Sequence, residues 1–214
     1  MSEEFIREVD EDLRHKQITG LWKKYGGFII TFLVGIVLFV AGNVTLKNYN
    51  ESKYAKVADQ YSLVEKNVVA NDLEAAMKSL QTLSDTNVEG YKVLIGFKKA
   101  EIELQKGNKD KAVEALDELS AASGVEKIYR DLASLKAAMI SMDSASYDDS
   151  KLRLAPLTIE GNNWKYIAKE LLAMSALSNG DSEEAKRLLT ELEQDLEAPE
   201  DVKARAKDFK SVIE

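Results

Sequence analysis

Residues 93–119 read VLIGFKKAEIELQKGNKDKAVEALDEL and residues 166–192 read YIAKELLAMSALSNGDSEEAKRLLTEL. Laid over one another, both run through a helical stretch, a polar turn centred on Gly107 or Gly180, and a second helical stretch. Anchoring on that turn recovers two more copies, around Asn71 and Ala145, and the four turns stand 36, 38 and 35 residues apart. Seven residues before the turns come Val64, Ala100, Ala138 and Ala173; five residues after them come Ala76, Ala112, Ser150 and Ala185. Small side chains at such places let two helices approach at a short interaxial distance. Nine and twelve residues after the turns stand Leu80, Leu116, Leu154 and Leu189, then Leu83, Leu119, Leu157 and Leu192. A spacing of three keeps both leucine columns on one helical face, the face each second helix buries.

Four units in register, with a period close to the roughly 34 residues of a tetratricopeptide repeat, resemble that repeat. The resemblance implies an all-α solenoid in which helical hairpins stack and their first helices line a concave groove. The first large aromatic residue of the repeat is absent, its place held by Gln60, Gly96, Ser134 and Lys169, so the array is degenerate. The third unit diverges most, with SASYDD (residues 144–149) in place of a glycine turn. The last stretch, PEDVKARAKDFKSVIE, opens with Pro199 at a helix start and carries Val202, Ala206, Phe209 and Ile213 on an apolar stripe. It is expected to be the helix that caps the solenoid.

Before the repeats, between Lys24 and Lys47, runs YGGFIITFLVGIVLFVAGNVTL, twenty-two residues without a charge. At about 1.5 Å per residue such a helix spans roughly 33 Å, enough for a hydrocarbon core of ~30 Å. Trp22, Tyr25 and Tyr49 stand where interfacial aromatics are expected. The expected organisation is therefore an N-terminal tail (1–24), a transmembrane helix (25–46), four tetratricopeptide-like units (47–198) and a capping helix (199–214). A cleaved signal peptide fits less well, because its apolar region is about 7 to 15 residues long and follows a short basic segment. Arg14, Lys16, Lys23 and Lys24 precede the span, against Lys47, Lys53 and Lys56 after it, which favours the tail in the cytoplasm and the repeats outside. Gly27, Thr31 and Gly35, with Gly42 further on, put small side chains near one helix face, where another membrane helix can approach closely. Glycine is also common in membrane helices for reasons of composition alone. No Gly or Pro lies between Gly42 and Gly90, so the helix can run on into the first repeat.

The formal charge is −8, which disfavours a nucleic-acid partner. There is no cysteine, and the single histidine, His15, lies in the polar tail. No convergent set of catalytic groups, glycine-rich phosphate loop or metal-ligand spacing stands out, so neither an enzyme, a small-molecule substrate, a cofactor nor a metal is expected. Protein binding is the remaining role. Two columns of the first helices are candidates for the groove: Tyr61, Phe97, Leu135 and Glu170, and Val68, Leu104, Met142 and Leu177. Of these Tyr61, Phe97, Leu104, Leu135 and Met142 are the candidate contact residues, with Met139 and Met174 adding flexible apolar surface suited to varied partners. The same positions also suit packing between repeats.

A charged tail ending in LWKKYGG (residues 21–27), one apolar span, a short stalk containing Tyr49 and four degenerate units together resemble the bacterial YfgM family. That resemblance implies an ancillary subunit of the SecYEG translocon, anchored in the inner membrane with its repeats in the periplasm and associated with the periplasmic chaperone PpiD. A scaffold for cell-envelope assembly or division, or a cytoplasm-facing scaffold with inverted topology, uses the same fold and stays open on the residues alone.

Overall fold

The structure is a computed structural model that describes residues 2–84 and 90–213; within its first helix, α1 (Ser2–Val69), the side chains of residues 2–26, 28–31, 33 and 34 stand outside the description. After α1 follow α2 (Leu73–Ser84), α3 (Tyr91–Gln105), α4 (Lys109–Ala121), α5 (Lys127–Ser141), α6 (Tyr147–Leu154), a 3-10 turn (Ala155–Leu157), α7 (Lys165–Ser178), α8 (Ser182–Gln194) and α9 (Glu200–Ile213). Among the described residues there is no strand.

The chain divides into two compact units, Met1–Lys56 and Val57–Glu214. In the first, Phe32, Ile36, Val37, Leu38, Phe39 and Val40 are all exposed on α1. Among the described residues no helix is long and apolar enough to cross a membrane. The run expected to do so, residues 25–46, lies partly outside the described side chains, at 25, 26, 28–31, 33 and 34.

In the second unit the chain turns back after α1, α3, α5 and α7, at the four anticipated positions. Three of those turns share one mechanism. Asn71, Gly107 and Gly180 take φ of 58°, 80° and 83°, and a left-handed residue here lets the chain close two hydrogen bonds over the end of the helix. At Gly107 these are its own N–H to the Leu104 carbonyl, 2.9 Å, and the Asn108 N–H to the Glu103 carbonyl, 2.8 Å. The next helix then starts at once: the Asp72 and Asp181 carboxylates accept from the N–H groups of Ala75 and Glu184, each at 3.0 Å. The third turn has neither Gly nor Asn at the key place. It runs longer instead, and the Ser146 hydroxyl caps α6 by accepting from the Asp149 N–H at 3.1 Å.

All four columns of small residues and leucines are inside: none of the sixteen side chains is more than 4 % exposed. Each fully buried leucine contributes about 1.5–3 kcal/mol of transfer free energy. In the third unit Pro156 ends α6 early, and Leu157 reaches the core from the 3-10 turn. At Gly96, one of the places where the repeat's large aromatic is missing, the packing supplies a reason. A Cβ there would stand 3.0 Å from both methyl groups of Leu119, leaving no room for a ring. Finally α9 lays Val202 and Ala206 on the last hairpin, and the Arg205 guanidinium donates to both oxygens of Glu170, at 2.9 and 3.0 Å.

Candidate protein-binding face

The first helices of the units share one face that reaches the neighbouring unit in the stack. Ten residues before each turn it carries Tyr61, Phe97, Leu135 and Glu170, and each of these meets the next element in the stack. Tyr61 packs edge-on against Tyr91 with ring centroids 6.1 Å apart. Phe97 lies beneath the Lys136 ammonium at 6.0 Å. Leu135 is buried in the core cluster shared with α7 and α8, and Glu170 holds Arg205 of α9. This column joins unit to unit. Burial pushes the Tyr61 hydroxyl up to about 12, with Glu65 nearby adding to the shift, so the ring stays neutral.

Seven residues nearer the turn stand Val68, Leu104, Met142 and Leu177. Leu104 and Leu177 are 39 % and 42 % exposed, and Met142 is half-buried against the core cluster that holds Leu135 and Leu154. One turn of helix back, the residues change character along the stack: Glu65 and Glu101 in the first two units, Met139 and Met174 in the last two. The carboxylates are satisfied, since Lys98 donates to Glu65 at 2.9 Å and to Glu101 at 2.7 Å. Partial burial alone would lower the Lys98 pKa, but the hydrogen bonds to Glu101 and Glu65 outweigh it and the ammonium is held above its ordinary value. The methionines have no such partners, and Met139 is 54 % exposed.

At the C-terminal end this surface folds into a small apolar cleft of about 120 Å³, lined by Ala173, Met174, Leu177, Ser178, Leu189, Phe209 and Ile213. An apolar cavity of roughly 150 Å³ accepts a benzene ring, so one apolar side chain of a partner is the right size of occupant. Phe209 and Ile213 enter from α9. In the sequence they are visible only as the apolar stripe of a capping helix, and their i, i+4 spacing does not say that the stripe continues the inner face.

Of the candidate contact residues, Leu104 is exposed and Met142, in the same column, is half-buried against the core, while Tyr61, Phe97 and Leu135 are committed to contacts between units. On α1, Gly27, Gly35 and Gly42 are exposed and have open space where a Cβ would stand; the Thr31 side chain lies outside the described residues. Among the described residues no group of three His, Cys, Asp or Glu is placed to hold a metal ion.

Stacked antiparallel hairpins with their first helices forming one continuous face define a helical repeat solenoid of the protein-binding class. The tetratricopeptide repeat-like domain profile matches residues 20–190, and the chain belongs to that family. No curated protein and no solved structure matches it.

Proposed function

We propose that this chain is a membrane-anchored protein-interaction module whose docking face is the apolar inner surface of its last two units together with α9. The observation that carries the reading is the exposure of Met139, Met174, Leu177 and Phe209 around an apolar cleft, on a fold whose family serves protein contacts. Exposed apolar surface of this kind is costly to leave in water and marks an interaction site.

Membrane anchoring rests on the uncharged run 25–46 and on the exposed apolar side chains from Phe32 to Leu46, which no part of the described chain covers. A helix that is apolar all round is suited to lipid. In this reading residues 1–24 are a cytoplasmic tail, 47–198 the repeats and 199–214 the cap, with the repeats in the periplasm. The resemblance to the YfgM family then makes the SecYEG translocon and a chaperone such as PpiD the expected partners.

Photo-crosslinking in membranes tests the docking face. A crosslinking residue at Leu177 is expected to capture a translocon or chaperone subunit, and one at Glu191 to capture little. Capture from Glu191 alone would move the contact to the acidic outer surface. Capture of envelope-assembly or division proteins in place of translocon subunits would favour the scaffold reading. Alkaline phosphatase fused after Glu214 is expected to be active; an inactive fusion would put the repeats in the cytoplasm.

A further inference from the structure

The third hairpin differs from its neighbours in two ways that act together. Its second helix, α6, has 8 residues where α2, α4 and α8 have 12, 13 and 13. Behind α6 lies a solvent-open cleft of about 540 Å³ between α4, α5 and α6, whose walls include Asp117, Ser120, Ser134, Ser141 and Asp149. The polar walls keep this space wet, so no apolar seam ties α6 to α4. Leu152, at the mouth of the cleft, is 80 % exposed.

The hydrophobic core also divides here, as it does at α3, where Ile95 and Ile102 pack with α1 and α2 while Ala100 packs with α4. Ala133 and Ala137 of α5 belong to the cluster formed with α3 and α4, whereas Leu135 and Ala138 belong to the cluster formed with α6, α7 and α8. Helix α5 is thus shared by two cores. On its C-terminal side α6 is firmly held, by Leu154 in that second cluster and by the Tyr147 hydroxyl donating to Glu184 at 2.8 Å. On the other side, among the described residues, the polar tie to α4 is the Arg153 guanidinium, which grips both carboxylate oxygens of Asp117, one of them at 3.0 Å. Both side chains are partly solvent-accessible, so the pair is open to screening.

We propose that the solenoid hinges at its third hairpin, with α5 as the shared spine and the Asp117–Arg153 pair as a strap across the outer cleft. Releasing the strap lets α6, α7, α8 and α9 rotate as one body against α3 and α4. The inner face is carried by both bodies, so the hinge sets the angle between its charged and apolar halves. This proposal concerns the domain's motion and stands whatever partner binds. It follows the general rule that hinges lie where few contacts cross between two packed bodies.

The chain has no cysteine, so paired spin labels report single distances. Labels at Glu114→Cys and Leu152→Cys, which occupy matching exposed positions on α4 and α6, span the cleft. The pairs Lys78→Cys with Glu114→Cys, and Leu152→Cys with Arg187→Cys, report on the neighbouring junctions. In the full-length chain, Asp117→Asn is expected to roughly double the width of the Glu114–Leu152 distance distribution, as is salt at about 1 M, where the Debye length falls to about 3 Å. The other two pairs should not change. The charge swap Asp117→Arg with Arg153→Asp should restore the narrow distribution. An unchanged Glu114–Leu152 pair, a broadening of all three pairs together, or a swap that fails to restore would each overturn the hinge.

Discussion

On the inner face of the first two units Lys98 stands between Glu65 and Glu101, while at the matching heights of the last two units stand Met139 and Met174, with Phe209 beyond them. The scaffold positions behind these residues are alike in all four units, leucine or a small residue apart from Val64, and all inside. Packing therefore does not account for the difference. To bind at the charged half a partner must break ion pairs that are already made. At the apolar half it removes hydrocarbon from water, worth roughly 25 cal/mol per Å². Scaffold positions and open positions thus occupy separate faces of the same helices, and along the stack the open face changes from charged to apolar.

The sharpest way to break the first part of that comparison is Leu154→Ala in the divergent third unit. With Leu154 fully buried, urea unfolding should show a loss of about 2–5 kcal/mol, the same range as Leu116→Ala in the regular second unit. A loss below about 0.5 kcal/mol, typical of surface sites, would mean that the third unit is not an equal member of the scaffold. Ala112→Leu and Ala185→Leu put bulk between two helices at fully buried sites and should each cost about 1–3 kcal/mol. Unaltered thermal midpoints for both would refute the register.

For the inner face, Leu177→Ala together with Phe209→Ala should weaken partner binding by on the order of 2 kcal/mol, measured on a folded chain, because apolar anchors dominate interface energy. Glu101→Ala should change it little. The reverse ranking would place the contact on the charged half.

Ser175 sharpens the scaffold side by a smaller amount. Its hydroxyl is fully buried with no hydrogen-bond partner among the described residues, at a position where the second unit has Ile102. Removing an unsatisfied hydroxyl relieves its desolvation penalty, so Ser175→Ala should raise stability by about 1 kcal/mol. A lowered midpoint would show that the hydroxyl is satisfied.

The smallest effect is in acid. Arg187 hydrogen-bonds the Glu184 carboxylate and, with the Tyr147 hydroxyl also donating to it, holds its pKa down at about 2, below the usual carboxylate range. A group whose pKa is depressed by folding contributes stability above its unfolded value and loses it as pH falls through the folded one. The stability that Glu184 contributes through Arg187 and Tyr147 is therefore lost from about pH 4.5 down to about 2. Glu184→Gln should flatten that part of the acid limb. An acid limb identical to that of the unsubstituted chain would remove Glu184 from the account.

Much of this fold is legible in the residues because the repeat imposes one packing problem four times. Ala100 and Ala173, or Leu116 and Leu189, occupy equivalent places and reinforce one another's assignment. The turns are legible for a local reason, since Asn71, Gly107 and Gly180 tolerate the left-handed backbone that closes a helix. The helix stripe of residues 199–214 is equally plain.

The division of labour on the inner face was settled only by the three-dimensional packing. Periodicity shows which side of a helix is apolar, but a helix in a stack has different neighbours along its length, and positions two turns apart meet different ones. Hence Tyr61, Phe97 and Leu135 join unit to unit while Leu104 and Leu177 remain open. Gly96 replaces an aromatic because Leu119, twenty-three residues away in the chain, stands against it. Phe209 and Ile213 complete the cleft begun by Met174 and Leu177 because α9 lies where the first helix of another unit would. Amino-acid order specifies propensity and pattern along one helix at a time. Which two patterns share a surface depends on how helices distant in the chain are brought together.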